Sequence, residues 1–187
     1  MQKRVDDLEA APLRELPDLL EPGLRLVFIG FNASLHAART GHYYSRPANR
    51  FWGLLREVGL VPSDFTSDRD AELPSLGIGM TDLVKRPTGG VDEVSREEFR
   101  AGVVQVCEKL ERFRPAVVCC VGRGVFAWLA GRPSVGWGIQ PTAVAGARVF
   151  VMPSTSGRAN RFEPVRLEVM MALKQYLEPS SEHSADE

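Results

Sequence analysis

Hydrophobic positions along this chain gather into four short, nearly unbroken runs: Leu24–Gly30, Gly77–Leu83, Ala116–Gly122 and Arg148–Met152. Val, Ile and Cys fill them without strict alternation, the pattern of strands covered on both faces rather than wet on one. Between the runs, apolar residues recur at helical spacing. Ala48–Val58 leads to a Gly59 stop, and Val125–Ala130 is a short helix before Gly131. Ser95-Arg96-Glu97-Glu98 is a capping box opening a helix that reaches about Phe113. Pro164–Leu177 is amphipathic and stops before Pro179. Strands alternating with helices predict an α/β fold, a three-layer α/β/α arrangement around a central four-stranded parallel sheet. Such a sheet offers ligands the crevice beyond the carboxyl ends of its strands. The segments after Gly30, Leu83, Gly122 and Met152 are therefore where chemistry is expected. One domain is predicted, with its core over residues 22–177 and acidic, loosely docked ends over 1–20 and 179–187.

Composition adds limits to this picture. Of 187 residues, 44% are hydrophobic and 25% charged, ordinary values for a folded chain, and no apolar run reaches the length of a membrane helix. Acids run through the N-terminal segment, which lacks the apolar core of a secretory leader. Cys107, Cys119 and Cys120 form no C-x-x-C pair, and two of them sit inside the run AVVCCVG, where buried free thiols are expected. A reducing, cytoplasmic location follows as an expectation. Three His and three Cys stand at no metal-ligand spacing, and the cysteines are too few for an iron–sulfur cluster, so no metal and no cofactor is expected. The net charge of −1 hides an asymmetry: residues 22–177 hold 20 basic against 14 acidic groups, a net of +6. A basic core between acidic ends suits a surface that meets phosphates.

The polar residues at the strand ends sharpen this. Asn32 follows the first run directly, within Gly30-Phe31-Asn32-Ala33-Ser34, and by itself reads as a turn asparagine as readily as a side chain aimed into a crevice. The longer stretch GFNASLHAARTGHYYSRPANRFW resembles the first signature of the mismatch-specific uracil/thymine-DNA glycosylase family. The resemblance continues in Leu83-Val84-Lys85-Arg86-Pro87-Thr88, in Asp92-Glu93-Val94-Ser95 and in the late loop Pro153–Gly157, so it covers about residues 22–177 in matching order. It implies an α/β/α fold, removal of uracil or a mismatched pyrimidine from double-stranded or single-stranded DNA by base flipping, no cofactor, and a monomer. It further implies that Asn32 holds the hydrolytic water, Tyr44 stacks on the flipped base, and Phe31 offers a backbone amide to a base carbonyl. Asn49 braces the pocket, and Ala37 with Phe31 and Tyr44 sets its size. The loop Ser154–Asn160, with Ser156, Gly157, Arg158 and Ala159, corresponds to a wedge that fills the gap left by the extruded nucleotide. Two departures stand out. Ala33-Ser34 replaces the usual Pro-Gly, and Arg158 stands where an apolar wedge residue is common, where it could stack on the orphaned base or contact a phosphate.

The reaction itself demands more than an asparagine. Breaking an N-glycosidic bond builds positive charge on the sugar and negative charge on the base, so the site needs a positioned water and stabilised charges. An amide holds water but is a very poor base, whereas a carboxylate takes its proton and stabilises the cationic sugar. Two acids lie near strand ends. Asp82 stands inside the second run, where a structural pairing with Lys85 or a neighbouring amide is the plain reading. Asp92 follows the flexible Arg86–Gly90 segment and is expected to assist Asn32, against the alternative that it complements the dipole of the helix opened at Ser95. His36 and His42 flank the proposed pocket as phosphate or surface contacts.

Two rival readings remain open at this level. Gly122-Arg123-Gly124-Val125-Phe126-Ala127 follows a strand and formally fits the G-x-G-x-x-A of nucleotide-binding oxidoreductases. Gln140, Pro141 and Thr142 stand where an acid for a ribose should be, and in a glycosylase Arg123 and its turn would instead face a DNA phosphate. The other rival is a DNA-binding module without catalysis.

Overall fold

The computed structural model describes residues 10–157 and 162–178. Five strands, β1 (Leu26–Ser34), β2 (Ile78–Thr88), β3 (Val117–Val121), β4 (Gly138–Ile139) and β5 (Arg148–Met152), form one sheet in the order β2-β1-β3-β5-β4. The four expected strands are parallel, and β4 adds an antiparallel edge to β5, so the sheet is mixed and five-stranded rather than parallel and four-stranded. With two residues, β4 is too short to leave a periodic trace in the sequence. The helices are α1 (Leu35–Thr40), α2 (Phe51–Glu57), α3 (Arg96–Phe113), α4 (Arg123–Ala130) and α5 (Glu163–Leu177). Two 3-10 segments, Ser67–Leu76 and Val91–Glu93, flank β2.

Strand alternation sorts the side chains into two cores. Leu26 and Phe28 of β1 face Met80, Phe51, Leu55 and Met170, so α2 and α5 cover that side. Val27 and Ile29 face Phe99, Leu110 and Phe126, so α3 and α4 cover the other. Every residue of β3 is buried, which explains its unbroken apolar sequence. The capping box forms as expected: Ser95 Oγ accepts from Glu98 N at 3.1 Å, and Glu98 Oε2 accepts from Ser95 N at 2.9 Å. Such a cap contributes about 1 kcal/mol. Helix α2 begins at Phe51, three residues later than its sequence pattern, because Asn49 Oδ1 accepts from Phe51 N at 2.9 Å and closes the preceding turn.

The N-terminal segment departs from the expectation of a loosely docked end. Leu16 is buried, and Leu19 exchanges backbone hydrogen bonds of 2.9 and 3.0 Å with Met80, covering the outer edge of β2. Asp18 locks this strap in place. Its carboxylate meets Lys85 at 2.9 Å, Lys109 at 2.7 Å and the Thr81 hydroxyl at 2.6 Å.

Candidate active site

The first strand does not stop at Gly30. Its polar end keeps pairing with β2, setting Gly30 beside Asp82, Asn32 beside Val84 and, after an irregularity, Ser34 beside Thr88. Ser34 then turns the chain into α1 by accepting from Ala37 N at 3.2 Å. At this carboxyl end of the sheet lies a cavity of about 690 Å³. Its wall comprises the β1 end, the Tyr43–Asn49 segment, Asp82, and the loop from Ser154 to Gly157. That is the location expected of a ligand crevice in an α/β sheet.

Asn32 reaches the cavity with its amide already oriented. Its Nδ2 donates to Arg86 O at 3.1 Å and to Thr88 Oγ1 at 2.7 Å, and the Thr88 hydroxyl donates onward to Gly90 O at 2.7 Å. Both amide hydrogens are thus used by the end of β2. A backbone carbonyl only accepts, so the flipped assignment of the amide is excluded and Oδ1 is left to accept from a water.

Asp82 is a second polar group lining the cavity, paired in register with Gly30. A methyl group placed on Gly30 would lie 2.3 Å from Asp82 Oδ1 and 3.0 Å from the Tyr44 hydroxyl, so both groups crowd the space that glycine leaves empty. Asp82 is 5% exposed, and among the described residues no donor hydrogen-bonds its carboxylate. Burial pushes its carboxyl up from 3.8 to about 7; Lys85 and Lys109 oppose the rise, and Asp18 adds to it. The pairing with Lys85 does not form, because Asp18 holds that ammonium. Asp92, by contrast, is exposed on the Val91–Glu93 turn and does not line the cavity, although its neighbour Val91 does. Of the two acids, Asp82 lines the same cavity as Asn32 and Asp92 does not.

Tyr44 sits on the cavity wall with a positive φ of 51° and stacks on Phe51, ring centroids 4.1 Å apart and 18° from parallel. Burial, and next the charge of Asp82, hold its phenol well above the ordinary value, so it stays protonated. Phe31 and Ala37 also line the cavity. The Phe31 ring lies against α4, where a methyl group on Gly124 would stand 2.4 Å from its Cζ. Gly124 is therefore a packing glycine for Phe31, and the Gly122 N–H is spent on Met152 O at 2.8 Å and on Cys120 O at 3.0 Å. This gives the G-x-G pattern a reason unrelated to a dinucleotide. Arg123 is exposed at the start of α4, its guanidinium 4.0 Å above the Trp137 ring, and Trp137 in turn packs edge-on against Phe162.

The remaining expected residues divide. Asn49 lines the cavity and braces α2, and Ser156 and Gly157 form its rim. Arg158, Ala159 and Asn160 lie outside the described residues. His42 is held by Asp70, Nδ1 to Oδ1 3.0 Å, while Asp70 Oδ2 accepts from Tyr43 N at 2.8 Å, so it shapes the turn before Tyr44 and stands away from the cavity wall. His36 is half-buried on α1 and does not line the cavity. Sequence reasoning missed the parts played by Gly30 and Thr88 and undervalued Asp82. An acid inside an apolar strand run was itself a signal, since such a group is costly to bury without a purpose.

The fold is similar to the solution NMR structure of a candidate uracil DNA glycosylase from Methanosarcina acetivorans, with a TM-score of 0.63 at 23% identity, over 89% of this chain and 98% of that one. At that identity the likeness is one of fold. The sequence comparison reaches further, because residues 17–177 match the Uracil DNA glycosylase superfamily along nearly the whole described chain. With Asn32 and Asp82 at the crevice of such a fold, the chain belongs to the Uracil DNA glycosylase superfamily.

Proposed function

We propose that this protein is a monofunctional, mismatch-specific DNA glycosylase that hydrolyses the N-glycosidic bond of uracil, and of related mismatched or damaged pyrimidines, after the nucleotide is flipped out of DNA. The carrying observation is that Asn32, with Oδ1 free to accept, and Asp82, a buried carboxyl that titrates near neutrality, share one cavity. Asn32 Oδ1 holds a water below C1′ of the flipped nucleotide. As the bond from C1′ to the base breaks, its electron pair leaves with the base and the sugar gains cationic character. The ionised Asp82 stabilises that cation and takes the proton of the water whose oxygen bonds to C1′. The base departs as an anion, to which the backbone at Phe31 is the nearest proposed donor, and gains a proton from solvent. The Tyr44 ring, backed by Phe51, is the stacking surface for a planar base. Products are free base and an abasic site.

The protein is proposed to act as a cytoplasmic monomer on a duplex containing uracil or a mismatched pyrimidine, and on single-stranded DNA, with no cofactor. The test is single-turnover excision from U·G, U·A, T·G and single-stranded uracil substrates by the wild type and by Asn32→Ala, Asp82→Asn and Asp92→Asn. Loss with the first two variants and wild-type rates with the third support the assignment. Wild-type rates in Asp82→Asn, with loss in Asp92→Asn, return the role to Asp92. A wild type that binds these DNAs and excises nothing is the binding-module alternative.

A further inference from the structure

Arg166, on the second turn of α5, is the largest fully buried side chain described. A guanidinium without water costs several kcal/mol unless each donor finds a partner, and an aliphatic side chain would fill the same space without that cost. Its partners show what the arginine holds. Nε donates to Ser154 O at 2.9 Å and Nη2 donates to Ser156 O at 2.9 Å, while Nη1 meets the Glu163 carboxylate. The carbonyl between these two, Thr155 O, accepts from the backbone N of Arg50 at 3.0 Å. Arg50 Nε in turn reaches the other oxygen of Glu163 at 2.6 Å. Three consecutive carbonyls of the loop after β5 are thus anchored from beneath, and the anchor joins the starts of α2 and α5. Gly157, also on the cavity rim, faces Ala48 across it: a methyl group on Gly157 would stand 3.5 Å from Ala48.

We propose that Arg166 is the positioning residue of this loop, setting its Ser154–Ser156 base in shape before DNA arrives, so that the loop enters the duplex preordered when a nucleotide is flipped out. The inference rests on the base-flipping reading given above. A planar fork that spans two carbonyls is the property lysine lacks, so the role belongs to arginine and not to its charge. Preordering the loop removes an ordering cost that would otherwise fall on the DNA-bound state.

The test compares the wild type with Arg166→Lys and Arg166→Gln in two measurements. One is affinity for a duplex bearing a tetrahydrofuran abasic site against the same duplex intact. The other is single-turnover uracil excision from duplex against single strand. Losing hydrogen bonds made by a charged group corresponds to about a tenfold loss on the abasic duplex, with the intact duplex changed by less than about twofold. Duplex excision should fall about tenfold further than single-strand excision, in the lysine variant as in the glutamine one. Equal losses on every substrate, no loss, or full rescue by lysine overturns the proposal. Glu163→Gln serves if both Arg166 variants unfold. It loosens the guanidinium without removing it, and should show the same selectivity at about threefold, its absence again overturning the proposal. A wild type that prefers the abasic duplex but excises no uracil sinks the catalytic reading and leaves Arg166 testable by binding alone.

Discussion

Replacing Asp82 by asparagine tests the active site through stability and rate together. The carboxyl is 5% exposed and rises from 3.8 to about 7, so between those values the folded protein binds a proton that the unfolded chain has released. Stability from this group is therefore highest below pH 4, falls as pH rises, and reaches its full penalty above pH 7. A rise of that size corresponds to about 4 kcal/mol, and an asparagine left without a partner returns about 1–3 of it, so Asp82→Asn should gain about 1–3 kcal/mol at pH 8. Near pH 4 the wild-type carboxyl is protonated and that penalty is gone, so the gain should turn into a loss of about 1–3 kcal/mol. Urea denaturation of both proteins at pH 4 and pH 8 measures it. Single-turnover excision by the wild type should rise with pH through about 7, as the base ionises. Asp82→Asn should lose that rising limb and about 100- to 10,000-fold in rate, the range of general acid–base catalysis. A variant that is less stable than wild type at pH 8, or that keeps the rising limb, would refute the assignment.

Other consequences follow from the same geometry. Gly30→Ala should cost about tenfold or more in excision by driving a methyl group into Asp82, with circular dichroism unchanged. Thr88→Val removes one acceptor of the Asn32 amide; kcat should fall about tenfold with KM steady, measured by steady-state excision. Asp18→Asn strands Lys85 and Lys109 and should destabilise by about 1–3 kcal/mol at pH 7, read from urea midpoints. The Lys109, Thr81 and Lys85 hydrogen bonds outweigh burial and hold the Asp18 carboxyl below 3.8, so its contribution is present above pH 4 and lost as pH falls further. The Asp18→Asn difference should therefore shrink toward pH 3.

By itself, the sequence determined the layered α/β fold, because strands buried on both faces leave unbroken apolar runs and capped helices leave local signatures. Its resemblance to a glycosylase signature also implied one site for Asn32, Tyr44 and Ser156-Gly157, which line a common cavity. The tertiary structure decided what depends on register and on distant partners. Whether Asp82 or Asp92 shares the cavity with Asn32 turns on β1 and β2 aligning Gly30 with Asp82, a pairing of residues 52 positions apart that no local pattern encodes. Lys85 looked like the partner of Asp82 three residues away, but Asp18, 67 positions distant, takes it and leaves the carboxyl with no hydrogen-bond donor among the described residues. Arg166 lies within the amphipathic Pro164–Leu177 pattern, where nothing local sets it apart; only the folded chain brings the loop carbonyls onto it. Periodicity reports which residues leave water, whereas the chemistry of a buried charge is set by what the fold brings beside it.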